Sequence, residues 1–128
     1  MESETLTDLA VKEFRQRFAK DFLDILVLRL IQAEPMWGYK IIRKVEKIFE
    51  IKIRHGALYP LLNSLEMNGL LKSKQEVRGR RARKVYEITP KGKQIIDSYH
   101  DFLREQLQTL NIKGQETKNE AGSKETEG

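Results

Sequence analysis

From Leu71 the chain alternates in polarity: Leu71, Ser73, Gln75 and Val77 interleave with Lys72, Lys74, Glu76 and Arg78. This is the period-two pattern of a half-buried β-strand. Lys84 to Ile88 reads as a return strand. Between them lies Arg78-Gly79-Arg80-Arg81-Ala82-Arg83-Lys84, in which five of seven residues are basic. The pattern predicts a hairpin with a cationic tip. A lone hairpin cannot bury its apolar face by itself, and the rest of the chain carries helical rather than strand periodicity. The fold is therefore constrained to helices packed on a small sheet: mainly α, of the α+β kind.

The helices follow from spacing and from stop signals. Leu6 to Ala33 reads as one helix, with Phe14, Phe18 and Phe22 at i, i+4 and i+8. Pro35 ends it by driving Glu34 out of the helical region. A second helix begins at Gly38 as N-cap and runs through Ile41, Ile42, Val45 and Phe49. After a polar link, Glu50 to Arg54, a third helix places Leu58, Leu61, Leu62 and Leu65 on one side and ends at Gly69. Its start has two readings. A helix from His55 would carry Pro60 past its first turn, at a cost in stability, whereas a helix from Pro60 would use the locked φ of proline. Thr89 and Pro90 mark the start of a last helix, as N-cap and N1. That helix carries a broad stripe of Ile95, Ile96, Tyr99, Phe102, Leu103, Leu107 and Leu110. Polar residues from Lys113 onward predict a disordered tail.

Three helices followed by a hairpin make a winged helix-turn-helix. An α-helix fits the major groove of duplex DNA, and cations attract the flanking phosphates. The third helix supplies Tyr59, Asn63 and Ser64 for base edges and phosphates, with His55 beside them at its start. Arg78, Arg80, Arg81, Arg83 and Lys84 supply the wing, where the guanidinium fork suits phosphate oxygens or a narrow minor groove. The net charge of +5 agrees with a polyanionic partner. The absence of cysteine excludes disulfides, iron–sulfur clusters and cysteine zinc sites, and His55 and His100 are isolated, so neither metal nor cofactor is expected. Trp37 reads as a packing residue. No nucleophile–base pair, paired-carboxylate cleft or phosphate-cradling loop is visible, and an enzyme is not expected. The stretch Ile25 to Ile31, interrupted by Arg29, is far too short to span a bilayer. The expectation is a cytoplasmic, nucleoid-associated protein.

Pro35-Met36-Trp37-Gly38-Tyr39-Lys40-Ile41, Gly56-Ala57-Leu58-Tyr59-Pro60-Leu61-Leu62 and Arg83-Lys84-Val85-Tyr86-Glu87-Ile88-Thr89 resemble the three signature stretches of the PadR family of transcriptional regulators. The members with a single C-terminal helix are similar to this chain in length. The resemblance implies a third helix that begins before Pro60, with Gly56 easing the approach of the proline ring. It adds Gly56, Ala57 and Pro60 to the DNA-facing helix. It also implies a homodimer built from the first and last helices, and repression by operator-binding members. Trp37 stands where the family usually has histidine, Arg54 where a capping serine is common, and Ala82 where the wing often has proline.

The apolar surfaces of the terminal helices independently ask for a second copy, since a small three-helix body cannot cover both. Phe14, Phe18, Phe22, Ile96, Tyr99, Leu103, Leu107 and Leu110 are the expected dimer contacts. The expected organisation is a dimer contact over residues 1–21, a winged helix-turn-helix over 22–90, a dimerisation helix over 91–112 and the tail over 113–128. The leading functional expectation is a dimeric, sequence-specific regulator, a repressor on an inverted-repeat operator. A non-specific DNA-coating protein and a winged-helix protein-interaction module are the alternatives. The sequence names no small-molecule effector.

Overall fold

The computed structural model describes residues 5–121 of the 128, with side chains through residue 109. The elements in order are α1 (Leu6–Asp21), α2 (Leu23–Ala33), β1 (Met36–Trp37), α3 (Gly38–Phe49), α4 (His55–Met67), β2 (Leu71–Arg78), β3 (Arg81–Ile88) and α5 (Pro90–Ala121). The three strands form one antiparallel sheet in the order β1-β3-β2. The chain divides into two compact units, Met1–Ile96 and Asp97–Gly128. The first holds the winged helix-turn-helix. The described part of the second is helical, a continuation of α5.

The helix expected from Leu6 to Ala33 is two helices. α1 opens on a capping box in which the Asp8 N–H donates to Thr5 Oγ1 at 3.1 Å and the Thr5 N–H to Asp8 Oδ2 at 3.4 Å. Phe22 then leaves helical geometry, at φ −112° and ψ 31°. Next to it the Asp24 carboxylate accepts from the N–H of Ile25 at 2.8 Å, a local bond that competes with a continuous helix. A one-residue break barely disturbs the apolar spacing, so periodicity passed over it.

α2 is the centre of the core. Ile25, Leu26, Val27, Leu28 and Ile31 are all buried, and Ile41, Ile42, Val45, Leu58, Leu62, Leu65, Met36, Leu71, Tyr86 and Ile96 complete it. Each such side chain contributes about 1.5–3 kcal/mol of transfer free energy. α1 is fastened to the far end of α3. Arg15 donates to the carbonyl of Ile48 at 3.2 Å and Gln16 to that of Glu50 at 3.5 Å, both at a helix C-terminus that favours positive charge. Glu50, at φ 55°, ends α3 in the left-handed region. Glu46 then accepts from the N–H of Ile53 at 2.9 Å, which fixes the turn into α4.

β1 was not expected. It is only two residues long, too short for any period, and it pairs Met36 with Tyr86 and Trp37 with Val85. The hairpin is also tighter than its arginine knot implied. Arg78 pairs with Arg81, which leaves Gly79-Arg80 as a two-residue turn. Positive φ at Gly79 (63°) and not at Arg80 is the type II′ pattern, whose twist suits a hairpin. On the face expected to be half-buried, Leu71 is buried and Ser73 partly so, but Gln75 and Val77 are exposed. The wing projects past the body that would cover them.

α4 ends in a Schellman motif, with the Leu70 N–H on the carbonyl of Leu65 (2.9 Å) and Gly69 at φ 79°. Trp37 rather than Gly38 is the N-cap of α3. Thr89 caps α5, accepting from the Gly92 N–H at 3.0 Å while its hydroxyl donates to the Gly69 carbonyl at 2.6 Å. The tail expected to be disordered from residue 113 is helical as far as Ala121. Apart from Gly114, this stretch is rich in Gln, Glu and Lys, straight-chain residues that extend a helix at little cost. Residues 122–128 lie outside the described residues.

Candidate nucleic-acid interface

α4 starts at His55, so the start at Pro60 is excluded. Pro60 lies inside the helix and is exposed. Lacking an N–H, it leaves the carbonyl of Gly56 without its helical partner, which is tolerable only because this turn faces solvent. Leu58, Leu62 and Leu65 are buried and Leu61 is half-buried. His55, Gly56, Ala57, Tyr59, Pro60, Asn63 and Ser64 are all exposed. The apolar spacing thus leaves every expected recognition residue on the solvent side. No side chain caps α4, and its first turn holds no acidic residue.

Tyr59 is set by Gly38. A Cβ built at Gly38 would lie 2.7 Å from the Tyr59 ring, so any side chain there would displace the tyrosine. His55 flanks the same ring, with centroids 5.9 Å apart. Sequence reasoning took Gly38 for a helix cap and missed this contact.

The wing cations are held differently from one another. Arg78 is bonded to Glu76 at 3.0 Å. Lys84 reaches Glu66 of α4 at 3.2 Å, and Ser73 donates to the other oxygen of Glu66 at 2.6 Å. The Ser73 hydroxyl and the Lys84 ammonium hold the Glu66 carboxyl below the usual carboxylate range, and the hydrogen bond to Glu66 raises the lysine. This carboxylate ties both strands of the wing to α4. Arg80 and Arg81 are exposed, with no ion-pair partner among the described residues. Arg83 is half-buried and lies over the indole of Trp37, 3.9 Å from the ring centroid.

That stack is one end of a ladder. Trp37 and Tyr39 are 5.5 Å apart, and Arg43 lies 5.5 Å over the Tyr39 ring while donating to its hydroxyl at 3.2 Å. An arginine of α3 and an arginine of the wing are thereby joined through two aromatic rings. A groove of about 440 Å³ runs beside it, lined by Trp37, Gly38, Tyr59, Arg81, Ala82, Arg83 and Lys84. It brings α4 and the wing to one surface. Tyr39 falls within the first of the three signature stretches, but its pairing with Arg43 had no signal in the sequence beyond their four-residue spacing.

Among the expected dimer residues, Phe14 is 58% exposed, Phe22 is exposed, and Phe18 is partly covered with its ring 4.8 Å from that of Phe22. Ile96 must be withdrawn: at 1% exposure it belongs to the core of its own chain and has nothing left to offer a second copy. In the second unit Tyr99 and Leu103 are half-buried and Leu107 is exposed. The side chain of Leu110 lies outside the described residues.

The family model of the transcriptional regulator PadR-like family matches residues 27–98, more than half of the chain. The chain belongs to that family. Over 54 residues it is 43% identical to the transcriptional regulator Rv3488 of Mycobacterium tuberculosis, a match covering 42% of this chain and 50% of that relative. The chain therefore spans about half the length of the curated relative it matches. A PadR-like transcription factor from Bacteroides fragilis superposes with a TM-score of 0.67 at 27% identity, covering 78% of this chain and 97% of that one. A PadR family regulator from Eggerthella lenta gives 0.64 at 27% identity, covering 84% and 90%. The PadR-like winged helix is thus the frame on which α4, the wing and the aromatic ladder are mounted. Among the described residues no group of His, Cys, Asp and Glu could hold a metal, and no helix is long and apolar enough to cross a membrane.

Proposed function

We propose that this PadR-like chain is a dimeric, sequence-specific DNA-binding repressor that acts on an inverted-repeat operator. The observation that carries the DNA contact is the single surface shared by the exposed side of α4 and the wing. Asn63 suits adenine, while Tyr59 and Ser64 offer hydroxyls to base edges or phosphates. At the tip of the wing, Arg80 and Arg81 are exposed and without ion-pair partners among the described residues, so their guanidinium groups are open to phosphates. Repression comes from the family resemblance. The dimer is supported by apolar side chains on α1 left in solvent, namely Leu6 (85% exposed), Val11 (53%) and Phe14. α5 adds Phe102 and Leu107, both exposed.

The deciding experiment titrates the protein against its own upstream region and a scrambled duplex of equal length, at 50 and 200 mM salt. An affinity at least ~1000-fold higher for its own region identifies a sequence-reading regulator. Equal affinities with a steep salt loss identify a coating protein. Light scattering at micromolar concentration should give twice the chain mass, and a monomer would sink the dimer.

Gly56 offers a separate check. A Cβ there meets nothing within 4 Å, and the position is helical and exposed. Gly56→Ala should therefore raise stability by about 0.5–1 kcal/mol. The same methyl would stand on the side of α4 turned toward DNA and should weaken binding. A thermal melt and a binding isotherm on one preparation measure both; a variant that gains stability and keeps full affinity removes Gly56 from the interface.

A further inference from the structure

Among the described residues, Arg83 alone of the cations around the groove is fixed in place without spending its hydrogen bonds. Arg78, Lys72, Lys74 and Lys84 are each turned onto a carboxylate. Arg80 and Arg81 are free but unsupported among the described residues. Glu76, directly across the ladder from Arg83, is taken by Arg78. Arg83 instead lies on the face of Trp37. A guanidinium stacked by its face is held by the ring quadrupole, while its N–H edges stay available for an oxyanion fork. The contact is built by the sheet. Trp37 pairs with Val85, and Arg83 lies two residues before Val85 in β3 on the same face, so the two side chains meet diagonally. The Trp37 ring also lies 5.5 Å from that of Tyr39, which is itself engaged by Arg43.

We infer that Trp37 is a positioning residue for DNA binding: its indole holds the Arg83 guanidinium ready beside the recognition helix to grip a backbone phosphate. The inference rests on the DNA-binding reading above and gives a role to a tryptophan that read as simple packing. A long arginine otherwise loses rotamer freedom when it binds, and Trp37 removes that cost in advance.

The test is a double-mutant cycle on a fluorescein-labelled mixed-sequence 30-base-pair duplex at 50 mM salt, with the full chain. Trp37→Leu, which keeps apolar bulk without a π face, should bind about 3- to 10-fold more weakly. Trp37→Phe, which keeps a π face, should recover most of that loss. In an Arg83→Ala background Trp37→Leu should cost nothing further, since there is no guanidinium left to position. Trp37 is the single tryptophan of the chain, so Arg83→Ala should also alter the emission of the free protein. Equal affinity for Trp37→Leu and wild type overturns the inference, as does an equal loss in both backgrounds, which marks a purely structural role. Unchanged emission on removing Arg83 overturns it as well. A wild type that binds no duplex overturns the DNA-binding reading itself, and a wild type that binds while Trp37→Leu binds equally well overturns only the role of Trp37.

Discussion

Replacing Arg80, Arg81 and Arg83 together by alanine should weaken duplex binding on the order of 10²- to 10³-fold at about 0.1 M salt, and by a similar factor on every sequence. The size follows from counterion release. Each phosphate contact contributes a slope of ~0.9 in log affinity against log salt, so three lost contacts flatten the slope by up to ~2.7. The loss should therefore shrink as salt rises. The ratio of affinities for operator and scrambled duplex should stay nearly constant, because phosphates carry no sequence information. The fold should survive. Arg80 and Arg81 are exposed and without ion-pair partners among the described residues, and exposed substitutions of this kind stay within about 0.5 kcal/mol. Removing Arg83 adds only the loss of its stack on Trp37, about 0.5–1 kcal/mol. Arg78→Ala is the internal control: its guanidinium is bonded to Glu76, so its removal should cost less than that of Arg80 or Arg81. A triple variant that binds with unchanged affinity and slope would falsify the wing as a phosphate clamp.

These arginines were legible because the hairpin announces itself twice, by alternation and by concentrated charge. The third helix was legible for a related reason. Its leucines recur on one side, so the polar remainder had to face solvent, as Asn63 and Ser64 do. The Thr89-Pro90 start of α5 was legible because its chemistry is local: a hydroxyl that accepts from the N–H three residues on. What escaped was non-local or very short. β1 has two residues and no period. The stack of Arg83 on Trp37 and the seat of Tyr59 on Gly38 join positions far apart in the chain, and no spacing encodes them. Ile96 shared a helical stripe with Tyr99 and Leu103, yet the core takes it. Periodicity shows which residues want cover, not who provides it.

The same limit governs the glycines, where the largest stability effect is expected. Gly92 lies in the first turn of α5, against the end of the link before β2 and the last residue of β3. A Cβ built there would stand 2.3 Å from the backbone carbonyl oxygen of Leu70, and 2.7 and 3.1 Å from Cδ1 and Cγ1 of Ile88. The isoleucine could turn away, but the carbonyl cannot. It is held by the Thr89 N–H at 3.2 Å, within the junction where Thr89 also bonds Gly69 and Lys91 reaches the Asn68 carbonyl at 2.9 Å. Gly92→Ala must therefore lift the start of α5 off the sheet. The expected cost is about 3 kcal/mol, the upper part of the range for overpacking, with the gain in helix propensity of about 1 kcal/mol already outweighed. Gly92→Val should cost more. The measurement is a urea melt of both variants beside Gly56→Ala, in which one glycine-to-alanine change raises the midpoint and the other lowers it. Helix propensity alone predicts that both rise. Only the approach of the Leu70 carbonyl separates them, so a Gly92→Ala chain as stable as wild type would mean that α5 does not enter the sheet in this way.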